Sequence, residues 1–229
     1  MIRSQIFTLC FVWAALSVPS IHAQDLSRYR AFQLGMSLSK VAEQAGLEAT
    51  HAKLIHERPA VIQELEWRPG ASIASQYSTD PVNEILFGFY NNQLYRIVIK
   101  YDQDKTDGLS DQDLIEGISA KYGKPTMPDA TIISSSSGRT YEDSEKVIAR
   151  WEDSECSLNL FRSSYRSGYG MIVFSKRLDI LAKTSIAESI RLNELEAPQR
   201  EIERQKKQDE EKRALGEKAR PANKANFQP

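Results

Sequence analysis

Between Glu84 and Tyr101 apolar and polar residues alternate in two runs separated by a short polar gap. Ile85, Phe87 and Phe89 share one face of the first run; Tyr95, Ile97, Ile99 and Tyr101 share one face of the second. A period of two over this length predicts paired, half-buried strands. The gap sets the register, because a slip of one residue sends every side chain to the opposite face. A two-residue loop, Asn91-Asn92, puts Phe87 opposite Arg96. A three-residue loop, Tyr90-Asn91-Asn92, pairs Phe87 with Tyr95 and Ile85 with Ile97, and puts Asn92 in the left-handed position of a bulged turn. The three-residue loop is the expectation.

The next segment changes period. Ser110 is placed as an N-cap with Asp113 three residues on, and Leu114, Ile115, Ile118 and Tyr122 form one helical stripe. Gly123 and Pro125 end it. Earlier in the chain, Ser37 caps a helix carrying Leu38, Val41, Ala42 and Ala45, and Gly46 closes it. Val61 to Trp67 alternates as a strand with Val61, Leu65 and Trp67 on one face, and Arg68-Pro69-Gly70 follows.

Beyond the second helix, Thr131 to Ser137 reads as a strand and Glu142 to Glu145 as a polar loop. Lys146 to Arg162 forms a second hairpin about Asp153-Ser154, pairing Trp151 with Cys156, Ala149 with Leu158 and Val147 with Leu160. Met171 to Phe174 is a last strand. From about Asp179 the pattern turns helical, Pro198 interrupts it, and charge dominates Gln199 to Arg213. Opposite charges recur there at i,i+4, as in Glu203/Lys207, with no apolar seam for a coiled coil. The end, Pro221 to Pro229, reads as disordered.

The expected fold is therefore α+β, with a mostly antiparallel sheet, short packing helices and a charged C-terminal helical tail. Residues 24–198 are the globular region and 199–229 the tail. The two halves, 31–107 and 108–198, share an order of helix then strands, which admits a tandem arrangement, although no residue-level repeat accompanies it.

The N-terminus adds a location. Met1 to Ala23 has one positive charge at Arg3, an apolar run from Ile6 to Val18 and a small-residue end at Ala23, the layout of a cleavable secretory signal. The apolar run is shorter than the ~20 residues a spanning helix needs. Export to the periplasm or the medium follows, with no membrane span after cleavage. Residues before Cys10 do not form a lipid-attachment box. The whole chain carries a formal net charge of −1, and losing Arg3 makes the mature chain more negative. That balance gives no reason to expect nucleic acid. Cys156 is alone after cleavage, so no disulfide framework forms and an inert buried thiol is expected.

Candidate chemistry is sparse. His51 and His56 stand five residues apart without ligand-spaced partners, so no metal is expected. Ser134 to Ser137 reads as a polar turn, lacking the Gly-x-Ser-x-Gly elbow. Asp102, Asp104, Asp107, Asp111 and Asp113 lack a calcium-loop pattern. Phosphate-loop and dinucleotide fingerprints are missing, and no cofactor is implied. The richest polar stretch is Arg162 to Gly170, where Arg162, Tyr165, Arg166 and Tyr169 stand among Ser and Gly. Rigid aromatics beside adaptable donors are the composition of recognition loops.

The run Phe32-Gln33-Leu34-Gly35-Met36-Ser37, with Val41 and Gly46 behind it, resembles the opening helix of outer-membrane assembly lipoproteins of the SmpA/OmlA (BamE-like) type. The resemblance covers Phe32 to Gly46. It implies a small domain of helices packed on an antiparallel sheet, acting as a partner-binding module. The lipid-bearing Cys of that family has no counterpart here, so only the fold is carried over. The expected function is an exported, non-enzymatic binding or assembly module whose partner is a protein or envelope component. The alternatives are a hydrolase of an envelope polymer with a dispersed site, or a secreted enzyme inhibitor.

Overall fold

The computed structural model describes residues 25–69, 80–126, 145–163 and 168–226. The expected signal segment, the expected strand at Thr131 to Ser137, Tyr165 and Arg166 lie outside the described residues. In chain order the elements begin with β1 (Arg28–Tyr29), β2 (Phe32–Gln33), α1 (Leu38–Ala45), a 3-10 turn (Ala49–His51), β3 (Lys53–His56) and β4 (Ile62–Trp67). There follow β5 (Val82–Tyr90), β6 (Gln93–Tyr101), α2 (Gln103–Thr106) and α3 (Asp111–Tyr122). The chain ends in β7 (Glu145–Glu152), β8 (Cys156–Ser163), β9 (Tyr169–Ser175) and α4 (Lys176–Asn226). Strands β3 to β9 form one antiparallel sheet in the order β3-β4-β5-β6-β9-β8-β7. The fold is α+β, as the alternation of periods predicts.

The central hairpin corrects the expected loop. Its turn has two residues, Asn91 and Asn92, both left-handed with φ of 46° and 64°. Asn tolerates that region, and two consecutive left-handed residues match the twist of the flanking strands. The register is then rescued inside β6. Phe89 faces Leu94 while Gly88 faces Arg96, so Tyr95 is an extra residue bulged out of the ladder. Beyond it Phe87 meets Ile97 and Ile85 meets Ile99, neither the Arg96 pairing of the short loop nor the Tyr95 pairing of the long one. A bulge is the third way to keep apolar residues on one face, and period counting does not see it.

Both turn asparagines also fasten neighbouring chain. Asn91 Oδ1 accepts from the Val61 N–H at 2.9 Å, and Asn92 Oδ1 accepts from the Leu38 N–H at 3.0 Å. The Gly35 N–H donates to Leu94 O at 2.7 Å and the Leu94 N–H to Met36 O at 2.8 Å. Gly35 has φ of +88°, which only glycine adopts without strain. The start of α1 is thus stitched to the hairpin tip. Ser37 caps α1, and Gly46 closes it in the left-handed region, with the Leu47 N–H donating to Ala42 O.

One face of the sheet carries the main core. Leu65, Phe87, Ile97, Leu158, Leu160 and Val173 are fully buried there, covered by Val41 and Ala42 of α1 and by Tyr122 of α3. Residues of both halves of the chain share this one cluster, and the β6–β9 pairing joins the two meanders edge to edge. Strand β4 begins one residue later than expected: Val61 is exposed, while Ile62 is buried on the second face. The cap of α3 is the predicted box, with the Asp113 N–H donating to Ser110 Oγ at 3.2 Å and the Ser110 N–H to Asp113 Oδ2 at 2.8 Å. Gly123 ends α3 at φ +77° with ψ −169°, a positive-φ conformation outside the left-handed helical region, and its N–H donates to Ser119 O. Trp151 Nε1 donates to its carbonyl at 2.7 Å and ties α3 to β7.

The second hairpin keeps its face but moves by two residues. Trp151 pairs with Leu158 and Ala149 with Leu160. Asp153 opens the turn instead of occupying its centre: Oδ1 accepts from the N–H groups of Glu155 (2.8 Å) and Cys156 (2.6 Å), an Asx turn. A bulge at Ile148 then turns Val147 to pair with Phe161 instead of Leu160. Cys156 is buried and free, as expected.

Helix α4 begins directly after β9, with Ser175 Oγ accepting from the Leu178 N–H at 3.5 Å, and runs without a break through Pro198 to Asn226. Pro198 removes one N–H, yet the helix continues, and Arg200 reaches back across it to donate to Asn193 O at 2.8 Å. The expected interruption at Pro198 and disorder from Pro221 are corrected to that extent. Only Leu178, Asp179, Ala182, Ile186 and Ser189 of α4 are buried, spaced along one helical face.

Candidate functional site

The proposed recognition residues are only partly brought together. Arg162, near the end of β8, and Tyr169, which starts β9, meet at the N-terminus of α3. The Arg162 guanidinium lies 4.9 Å from the Tyr169 ring centroid and is ion-paired with Asp111. It also donates to the Tyr169 hydroxyl. That hydroxyl lies 2.9 Å from Asp111 Oδ1 and 3.2 Å from Leu109 O, either of which can accept its proton. Burial and the bond to Asp111 hold the Tyr169 phenol above its ordinary range, so it stays protonated. Tyr169 is buried and packs back onto the sheet; its ring and hydroxyl clamp α3 to the β8–β9 end. Arg162 and Asp111 are the two members that remain about half exposed. In sequence Asp111 is one of five acids without a calcium-loop pattern, and no local spacing encodes its partnership with Arg162 and Tyr169.

The other acids of that run have local duties. Asp102 Oδ1 accepts from the Asp104 N–H at the start of α2, Asp107 Oδ1 from the Gly108 N–H, and Asp113 completes the α3 cap. His56 Nδ1 sits 2.9 Å from Ser189 Oγ of α4. Among the described residues no group of three or more His, Cys, Asp or Glu is placed to hold a metal ion. No helix among them is long and apolar enough to cross a membrane.

A second polar cluster lies beneath α4 and was not anticipated. Arg96, delivered to the second face with Tyr95 by the bulge, donates from an Nη2 to Asp179 Oδ1 at 2.6 Å. The side chains are 7% and 4% exposed, which makes this a buried ion pair. Lys183 Nζ lies 2.8 Å from Asp179 Oδ2. Arg96 Nε is buried with no partner. Around the pair, Ile62, Tyr95, Leu178, Ala182 and Ile186 form a small apolar cluster separate from the main core. At the far end of the docked part, Arg58 Nη1 donates to Glu196 Oε1 at 2.7 Å. A charged residue inside the run Tyr95-Arg96-Ile97-Val98-Ile99 was the one available signal for this site.

The TP0088 domain model matches residues 27–178, two thirds of the chain. The chain belongs to the TP0088 domain family. The match opens just ahead of β1, spans the whole sheet with α1 to α3, and closes in the first turn of α4. Neither the curated proteins nor the solved structures contain a match to this sequence.

Proposed function

We propose that this chain is an exported, non-catalytic binding or assembly module of the cell envelope or secreted fraction, whose partner is a protein or an envelope component. The observation that carries this reading is the distal part of α4. From Ala197 to Asn226 its side chains are exposed, apart from the partly covered Glu201. At ~1.5 Å per residue, that stretch extends on the order of 45 Å. It is held by its own short-range pairs, such as Arg204 to Glu201 at 2.7 Å and Gln205 to Glu201 at 3.1 Å, not by packing on the domain. A helix of this kind is a means of reaching something else. The N-terminal signal pattern and the likeness of Phe32–Gly46 to partner-binding modules point the same way. Arg162, with Tyr165 and Arg166 shortly after it in sequence, is the contact set proposed on the domain itself.

The test is capture from a native envelope fraction by the mature chain, by the same chain ending at Pro198, and by an Arg162→Ala, Tyr165→Ala, Arg166→Ala variant. Loss of capture on truncation supports the arm, and a loss of at least tenfold in the triple variant supports the loop. Equal capture by all three proteins rejects both. Turnover of an envelope polymer by the purified chain, abolished by one acidic or His substitution, would favour a hydrolase instead.

A further inference from the structure

The family match ends at Leu178, so four of the five α4 side chains buried on the second face, Asp179, Ala182, Ile186 and Ser189, belong to residues outside it. The surface they cover is built entirely from residues inside it: Ile62 of β4, Tyr95 and Arg96 of β6, and the flanking Ile55 and Tyr90. The bulge at Tyr95 creates this surface. It turns Tyr95 and Arg96 to the same side, and Gly88 on the neighbouring strand leaves room for the tyrosine ring: a Cβ there would sit 3.1 Å from Tyr95 Cε1. The result is an apolar platform with one buried cation, and Arg96 Nε within it is unpaired.

We propose that this platform is a helix-docking groove, that α4 is its built-in occupant, and that it accepts a partner helix in trans when α4 is displaced. Charge complementarity fixes the partner's chemistry. A buried guanidinium needs a carboxylate from whatever covers it, since the charge is otherwise left without compensation. The partner is therefore an amphipathic helix with Asp or Glu in its first turn, a small residue three positions on and an aliphatic one seven positions on. That is the spacing of Asp179, Ala182 and Ile186. The carboxylate sets the register and the apolar residues supply the area. Such a groove needs neither export nor a partner for the distal arm.

The experiment uses the full mature chain and a fluorescent peptide of residues 176–198 followed by anisotropy. Wild-type protein, with α4 seated, should bind the peptide weakly. Asp179→Ala, whose own helix has lost its anchor, should bind it at least tenfold more tightly. Adding Arg96→Met to that variant should return the affinity at least tenfold toward the wild-type value, because the peptide's Asp179 then has no cation to meet. No binding to a folded Asp179→Ala protein overturns the proposal, as does binding indifferent to Arg96. Dimerisation of Asp179→Ala that excludes the peptide would place a second copy in the groove and overturn the reading of a separate partner. Should Asp179→Ala fail to fold, hydrogen exchange of the wild type decides. Amides of 178–190 exchanging while those of β5 and β6 stay protected support a displaceable helix; exchange of both only together rejects it.

Discussion

Replacing Asp179 by Ala removes the acidic half of the ion pair beneath α4. In the intact protein Arg96 and Asp179 are nearly sealed from solvent and 2.6 Å apart, and Lys183 meets the second carboxylate oxygen. Lys183 is about half exposed and can turn to water once the acid is gone. Arg96 has no such exit, since its Nε already lacks a partner and its neighbours are Tyr95 and the sheet. Breaking a buried pair from one side costs about 3–5 kcal/mol, because the surviving charge stays desolvated. For a domain of this size each kcal/mol moves the midpoint by roughly 2–4 °C, so Tm should fall by about 6–20 °C. Where α4 lets go before the sheet unfolds, part of the loss appears as early exchange of its amides instead. Arg96→Met combined with Asp179→Leu removes both charges and should recover most of the stability, by urea titration and in a double-mutant cycle. Two results would refute the reasoning. One is a single-mutant cost below ~1 kcal/mol, the range of an exposed pair. The other is a double mutant as unstable as Asp179→Ala.

Three further predictions come from local geometry. Gly170→Ala should destabilise by about 1–3 kcal/mol or more in chemical denaturation, because an added Cβ would lie 2.2 Å from Phe161 Cζ and 2.8 Å from the Ile99 carbonyl oxygen; a neutral result would mean that β6 and β9 separate easily. Cys156 should resist thiol reagents in the native protein and react on unfolding, since burial first, then Asp153 and Glu155, push its thiol up to about 11. Raised above its unfolded value, that group's stabilising contribution is full below about pH 9 and is lost as pH rises through about 11, which alkaline unfolding curves would reveal. Removing residues 199–229 should leave Tm within ~5 °C of the full chain, about 1–2.5 kcal/mol for this size, and a larger fall would show that the arm docks.

Much of the local structure was legible because its causes are local. The caps of α1 and α3 are written in Ser37, Gly46, Ser110 and Asp113, whose side chains or φ angles satisfy the helix ends within a few residues. The alternation from Ile85 to Tyr101 named the core-facing residues apart from Tyr95, which the bulge moves to the second face while Leu94 takes a place in the main core, and the same logic placed Cys156 beside Leu158 and Leu160. The turns were less legible. Pattern alone gave the parity of each strand, whereas the exact pairing came from devices that add or absorb a residue: the bulges at Tyr95 and Ile148 and the Asx turn of Asp153.

Of the candidate site, the sequence supplied the residue types but not their partners. Arg162 and Tyr169 were singled out by composition, yet Asp111, 51 residues before Arg162 in the chain, gives them a common anchor, and Tyr169 spends its hydroxyl on holding α3. Arg96 and Asp179 are 83 residues apart and carry no shared motif. Their meeting depends on the bulge that rotates Arg96 out of the main core and on α4 leaving β9 without a linker to cross the second face. The sequence by itself therefore determined periodicity, caps and the polar character of the arm, since these depend on neighbours along the chain. The tertiary structure decided register, the joining of two meanders into one sheet and the pairing of buried charges. Those depend on distances between segments, which hydrophobic pattern constrains only to the correct face.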